Sequence, residues 1–321
     1  MEKKYSVVLL DSDTLGSVDF CDFDNRYSFV KFNTTGSESV LERIIEADVV
    51  ITNKVVLGRE VLEGAKSLKL VCVAATGYNN IDIEWCKNLD IAVCNVKGYS
   101  TLSVAQTTFS ALFHKIGEID FFDNYVKNGR YQKSLTFTCM EREFSLLEGK
   151  KFGVIGLGEI GHKIASIAEM FGADVCYYST TGQNNDREFR STSLEEMVSD
   201  CDFISVNCPL NEKTKNLLNG DILSKLKKDA ILINFSRGFV VDEQEVARLL
   251  NNDSFGCYIA DVYEKEPIEA DNPLFGVRDK RKLVLTPHIG WAGIQAREKL
   301  VSQILQNIEA FFAGEKKNRI V

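Results

Sequence analysis

At 321 residues the chain has material for about two domains. Its 45% hydrophobic and 26% charged residues match a globular protein with two sizeable cores. The net charge of -8 argues against nucleic-acid or anionic-membrane partners, which call for basic surfaces. No apolar run approaches the ~20 residues of a membrane span. Nine cysteines lack C-x-x-C or Cys/His spacing, so buried free thiols in a reducing, cytoplasmic compartment are expected, with no metal site.

The first hundred residues alternate short apolar runs with helical spacing. Tyr5–Leu10, Tyr27–Phe32, Val49–Thr52, Leu70–Ala74 and Ile91–Cys94 read as strands, with helices at Val40–Ala47 and Val61–Ala65. Near-continuous apolar strands separated by helices imply a parallel sheet covered on both faces, with a flavodoxin-like order. Ligands then meet the loops at the strands' carboxyl ends, which here are Asn53-Lys54 and the run Ala75 to Asn80 with Thr76 and Gly77. For that second loop taken alone, an ordinary polar turn is the favoured reading.

Next comes a long helical pattern after Ser100, with Val104, Thr108, Ala111, Leu112 and Ile116 on one face. His114 on it reads as a structural histidine. The stretch Tyr125–Glu143 reads as polar and irregular, wrapping over the surface or across a subunit partner. At Phe152–Ile155 a second series of strands begins, continuing at Val175–Tyr178, Phe203–Val206, Ile231–Asn234, Cys257–Ala260 and Leu283–Leu285. A six-strand doubly wound sheet is expected from it. After Trp291 a last helical pattern runs to Ala313, long enough to return to the first domain. The expected organisation is a discontinuous domain of residues 1–99 and 289–321, with a Rossmann domain of residues 100–288 inserted into it. Both are doubly wound parallel α/β sheets.

The first strand of the second series breaks at Gly156-Leu157-Gly158-Glu159-Ile160-Gly161, and a helix follows. Strand, glycine turn, helix and strand form the context in which G-x-G-x-x-G signals a dinucleotide site. Gly156 permits the tight turn, Gly158 lets a pyrophosphate approach, and Gly161 lets helix and sheet pack. The helix start offers unpaired N–H groups to phosphate. His162, one residue on, reads as a surface residue.

Three more segments end strands of the same sheet: Asn234 to Gly238 with Arg237, Asp261 to Pro267 with Glu266, and Thr286-Pro287-His288. Pro209 follows a fourth. Hydride transfer between a nicotinamide and a carbonyl needs a proton donor with pKa near 7, and a carboxylate beside a histidine favours its charged form. A second cation should hold the substrate and polarise its carbonyl. His288, Glu266 and Arg237 meet these needs. Each taken singly is as readily a surface ion pair or a buried strand-end histidine.

With GLGEIG at 156–161, NFSRG at 234–238, DVYEKEP at 261–267 and TPHIGWA at 286–292, the chain resembles the D-isomer-specific 2-hydroxyacid dehydrogenases. The resemblance implies a homodimeric two-domain enzyme, with Arg237 on the substrate and Glu266–His288 as acid/base pair. It further implies Asp261 on the nicotinamide carboxamide and the Gly77 loop on the substrate carboxylate. ATGYNNID at 75–82, GYSTLSVAQTTF at 98–109 and HIGWA at 288–292 are most similar to glycerate dehydrogenases, also called hydroxypyruvate reductases. Trp291 is a pocket wall or a packing residue. The expected reaction is reduction of hydroxypyruvate or glyoxylate to D-glycerate or glycolate. Its alternatives are a D-lactate-type or other 2-oxoacid reductase and, in another class, a dinucleotide-sensing regulatory protein. Where NAD-preferring members end the second nucleotide strand with an acid, this chain has Ser179 and Thr180. No base follows before Arg187, so the cofactor is NAD or NADP with a lean to NAD.

Overall fold

A computed structural model describes residues 4–184 and 186–321. The chain divides into two compact units, residues 1–100 with 292–321 and residues 101–291.

In the first unit five strands are hydrogen-bonded in parallel: β1 (Ser6–Leu9), β2 (Ser28–Lys31), β3 (Val49–Thr52), β4 (Leu70–Val73) and β5 (Ala92–Cys94). Their order is β2-β1-β3-β4-β5, the flavodoxin-like arrangement. β3 and β4 are buried at every position, as their unbroken Val, Ile and Leu runs demand in a sheet covered on both faces. One face carries Val8, Leu10, Val50, Val71, Val73 and Val93 against the flanking helices. The free edge of β5 is covered by the chain's last residues: Ile320 N–H donates to Val93 O (2.7 Å), and Arg319 bridges antiparallel to Cys94. The helix Ile294–Phe312 belongs to this unit. It buries Leu300, Ile304 and Ile308 but leaves Ile294, in its first turn, exposed.

The second unit holds seven parallel strands: β6 (Lys151–Ile155), β7 (Asp174–Tyr178), β8 (Arg190–Ser191), β9 (Phe203–Val206), β10 (Ile231–Asn234), β11 (Cys257–Ala260) and β12 (Leu283–Leu285). They run β12-β11-β10-β9-β6-β7-β8, so the order reverses between β9 and β6, the topological switch at which doubly wound sheets take ligands. Six of the seven match the expected strands. The seventh, β8, is two exposed residues paired to Cys176 and Tyr177, too short to leave a pattern in sequence. Side chains alternate between two cores. Ile204, Val206, Leu232, Tyr258 and Ala260 face one, while Phe203, Ile231, Ile233, Cys257 and Ile259 face the other.

The region Tyr125–Glu143, expected to be polar and irregular, is largely irregular, but it opens on the end of a helix and is not polar. A helix spans Ile119–Lys127, and its apolar face of Phe121, Phe122 and Tyr125 is hidden in sequence among Asp123, Asn124 and Lys127. Beyond it the chain is irregular but strongly apolar, with Leu135, Phe137, Met140, Phe144 and Leu146 all exposed.

The glycine turn shows why each glycine stands where it does. Gly156 has φ +88°, and a Cβ there would lie 2.9 Å from the Cys208 backbone. At Gly161 a Cβ would collide with the Gly156 carbonyl oxygen, whereas around Gly158 no atom lies within 4 Å of one. Gly161→Ala should therefore cost about 1–3 kcal/mol through overpacking, and Gly158→Ala should leave stability within about 1 kcal/mol. Urea unfolding of the two variants checks this. Equal midpoints would contradict the packing account.

Candidate active site

The chemistry-bearing residues of the second unit all follow the carboxyl ends of its strands. Gly156 follows β6, Ser179 and Thr180 follow β7, and Pro209 follows β9. Arg237 follows β10, Asp261 and Glu266 follow β11, and His288 follows β12. Because β10, β11 and β12 are neighbours in register, Arg237, Glu266 and His288 leave one end of three adjacent strands.

His288 Nδ1 lies 2.6 Å from Glu266 Oε2, and the two side chains are 25% and 31% exposed. The pair is thus open enough to meet a ligand yet held in one geometry. Glu266 Oε1 accepts the N–H of Tyr263 (3.1 Å), which orients the carboxylate. The Tyr263 hydroxyl donates to Thr286 O (2.8 Å), two residues before His288. Burial, with Asp261, Glu243 and Glu266 adding to it, pushes this phenol up to about 12, so it stays a donor.

His288 itself has φ +54°, a left-handed backbone uncommon outside glycine. Asp261 holds it there. Its buried carboxylate accepts from Thr286 Oγ1 (2.6 Å), Ile289 N–H (2.8 Å) and Gly290 N–H (2.7 Å), gathering both sides of the histidine. Burial raises the Asp261 pKa above the ordinary carboxylate value, while these three hydrogen bonds pull it down. Ser103 Oγ donates to Gly290 O (2.6 Å), anchoring the same segment to the helix Thr101–Gly117.

Arg237 is half-buried. Asn234 shapes its turn by accepting from Ser236 N–H (3.1 Å) and donating Nδ2 to Arg237 O (3.0 Å). The guanidinium donates to Ser236 O (2.7 Å) and, among the described residues, enters no ion pair. A planar fork without a carboxylate partner suits an anionic ligand. A Cβ on Gly238 would collide with the Tyr263–Glu264 backbone, so the turns after β10 and β11 are in direct contact.

The residues present fit a dinucleotide. The helix Glu159–Met170 starts at Gly158 with no side-chain cap on its first N–H groups, and the space at Gly158 is open. Asn184 Nδ2 donates to Leu157 O (2.7 Å), tying the loop after β7 to the glycine turn. Ser179 Oγ accepts from Asn184 N–H (3.4 Å). Thr214, fully buried, donates to Pro209 O (2.6 Å) and so fixes the loop after β9. His162 is a surface residue, 3.1 Å from Glu188 and 3.6 Å from Asp186. His114 lies 3.6 Å from Asp120. Among the described residues no group of three His, Cys, Asp or Glu could hold a metal ion.

Asn53, Thr76 and Gly77 belong to the first unit. Asn53 is buried and its side chain donates to Thr14 Oγ1 (3.1 Å). Thr76 is exposed, with its hydroxyl on Val96 O (2.8 Å) and its carbonyl accepting from Asn95 Nδ2 (2.7 Å). Sequence reasoning missed Asp11, whose buried carboxylate accepts the N–H groups of Asn53 (2.9 Å) and Lys54 (2.7 Å) and holds that loop. Burial raises its pKa, opposed by those backbone donors. The only signal available was an acid directly after an apolar strand. Trp291, half-buried, is the last residue of the second unit.

Comparison with known proteins gives the family. Residues 109–290 match the family described as D-isomer specific 2-hydroxyacid dehydrogenase, NAD binding domain. A glycerate dehydrogenase of Methylorubrum extorquens is 32% identical over 319 residues, covering 99% of both chains. A hydroxypyruvate reductase of Blautia hydrogenotrophica is 33% identical over 286 residues, covering 88% of each. Among solved structures, an acyclic imino acid reductase (Bsp5) in complex with NADPH and D-Arg superposes with a TM-score of 0.86 at 27% identity, covering 98% of this chain and 100% of that one. With its parallel sheets, its glycine turn and its matched segment spanning more than half its length, the chain belongs to the D-isomer specific 2-hydroxyacid dehydrogenases and is an NAD(P)-dependent oxidoreductase.

Proposed function

We propose that the protein reduces hydroxypyruvate or glyoxylate to D-glycerate or glycolate, with His288 as the acid/base residue. The observation that carries this is the 2.6 Å contact of His288 Nδ1 with Glu266, with Arg237, which among the described residues enters no ion pair, after the adjacent strand. The names borne by the glycerate dehydrogenase and hydroxypyruvate reductase relatives support the substrate class.

The glycine turn, Glu159, Ile160, Ser179, Thr180, Pro209 and Asp261 would hold the dinucleotide, whose nicotinamide supplies the hydride. Glu266 holds Nδ1–H and so leaves Nε2 as the nitrogen that meets substrate. In the reductive direction Nε2–H passes its proton to the oxygen formed at C2. In the oxidative direction neutral Nε2 takes it back. Arg237 holds the substrate carboxylate and polarises the adjacent carbonyl. The loops of Asn53, Thr76 and Gly77 are proposed as carboxylate contacts and Trp291 as a wall of the pocket. NAD is the proposed preference. Asp186 and Glu188 put two carboxylates on the loop after β7, and Arg187, its first base, is exposed.

Two further readings concern the whole molecule. Leu135, Phe137 and Met140, within six residues of one another in sequence, are 103%, 90% and 78% exposed, and large exposed apolar patches mark interaction surfaces. A second copy of the chain is their proposed cover. Seven of the nine cysteines are buried and free, with Cys176 and Cys201 unbonded at 3.6 Å, and no described helix is long and apolar enough to cross a membrane. A reducing cytoplasm is the proposed location.

Initial rates on hydroxypyruvate, glyoxylate, pyruvate and phenylpyruvate, each with NADH and NADPH, should give the highest kcat/KM for one of the first two substrates with NADH. Pyruvate or phenylpyruvate leading the panel would replace this reading with a D-lactate-type one. His288→Ala should lower turnover about 10²–10⁴-fold while NADH affinity stays within about twofold. Turnover near wild type would overturn the assignment. By sedimentation the wild type should run at twice the chain mass and the Leu135→Asp/Phe137→Asp double variant at once. A wild-type monomer would refute the dimer.

A further inference from the structure

A buried carboxylate stands behind the Glu266 segment, one turn removed from the chemistry. Glu243 is the first residue of the helix Glu243–Asn251, which Asp242 caps by accepting Glu245 N–H (3.0 Å). An acid in a first helical turn ordinarily faces water and helps the helix through its dipole. Glu243 is instead 1% exposed. Burial raises its pKa, and the charges of Glu264 and Glu266 act in the same direction. Among the described residues no lysine or arginine pairs with it. A charge held at such a cost needs work to do.

Its two oxygens show that work. Oε1 accepts the backbone N–H of Glu264 (3.1 Å), and Oε2 accepts Asn272 Nδ2 (2.6 Å). The Asn272 amide cannot turn round, because its Oδ1 accepts Leu274 N–H (2.9 Å). Both partners are therefore fixed donors, and only a group that accepts on both atoms satisfies them. The two donors lie on either side of Glu266. Glu264 follows Tyr263, whose N–H orients Glu266 and whose hydroxyl holds Thr286 ahead of His288. On its other side the Tyr263–Glu264 backbone rests on Gly238, next to Arg237. Other bonds of this loop run within it or to the segment after β12. Glu243 reaches it from a separate helix.

We propose that Glu243 is a positioning residue for the Glu266–His288 pair, acting through the backbone of Glu264 and through Asn272. The proposal rests on the acid/base reading above, and the test separates the two. Glu243→Gln keeps the shape but sets an NH₂ group against a fixed donor. In the full-length protein it should lower kcat about ten- to a hundredfold with NADH affinity within about twofold. Added to Glu266→Gln, where the pair is already broken, it should lower kcat by less than about twofold further. Effects that multiply in the double variant would overturn the positioning role, as would an unchanged kcat in Glu243→Gln. An unchanged kcat in Glu266→Gln would overturn the acid/base reading beneath it. Should Glu243→Gln not fold, Asn272→Ser serves in the same cycle. Serine retains a capping acceptor for Leu274 and removes the amide donor, so the same non-additivity is expected, and multiplying effects again refute the proposal.

Discussion

The carboxylate of Asp261 is the constraint on which the site depends. It follows a fully buried strand and accepts three hydrogen bonds, from Thr286, Ile289 and Gly290. Those bonds hold His288 in a left-handed backbone conformation that a histidine does not take without support. The imidazole is then turned so that Nδ1 meets Glu266. Taking a carboxylate out of water is costly, and a set of three short donors on one acceptor is what makes it tolerable. The conformation of His288 is thus set by the residue after a neighbouring strand rather than by its own turn.

Around that constraint the site is built in layers that share backbone. Tyr263 links Glu266 to the segment before His288, Gly238 lets the arginine turn lie against Tyr263 and Glu264, and Glu243 grips the far side. The parallel sheet brings this about, because neighbouring strands in register deliver their following loops to one end. In the first unit Asp11 repeats the device on a smaller scale, one buried carboxylate collecting the N–H groups of the Asn53 loop.

The central strands are legible because parallel strands buried on both faces are written as unbroken apolar runs, and the glycine turn because its context is complete. Arg237, Glu266 and His288 stood out as charged or titratable residues ending such runs. The edge strand Arg190–Ser191 was not legible, being two exposed residues with no pattern. The apolar residues beyond Lys127 leave no pattern because Leu135, Phe137 and Met140 are spaced among serines, threonines and acids without helical or strand period. Glu243 and Asp11 were invisible for a common reason. A carboxylate recruited to hold backbone N–H groups of a distant loop has no signature in its own neighbourhood. Only the fold shows which acids face inward.

A crystal structure with NAD and an unreactive 2-oxoacid analogue tests the central claim most directly. His288 Nε2 should lie about 2.6–3.2 Å from the analogue's C2 oxygen, with Nδ1 still on Glu266 and Arg237 on the analogue's carboxylate. An analogue bound with its C2 oxygen out of reach of His288, or with its carboxylate held by other groups while Arg237 stays on Ser236, would contradict it.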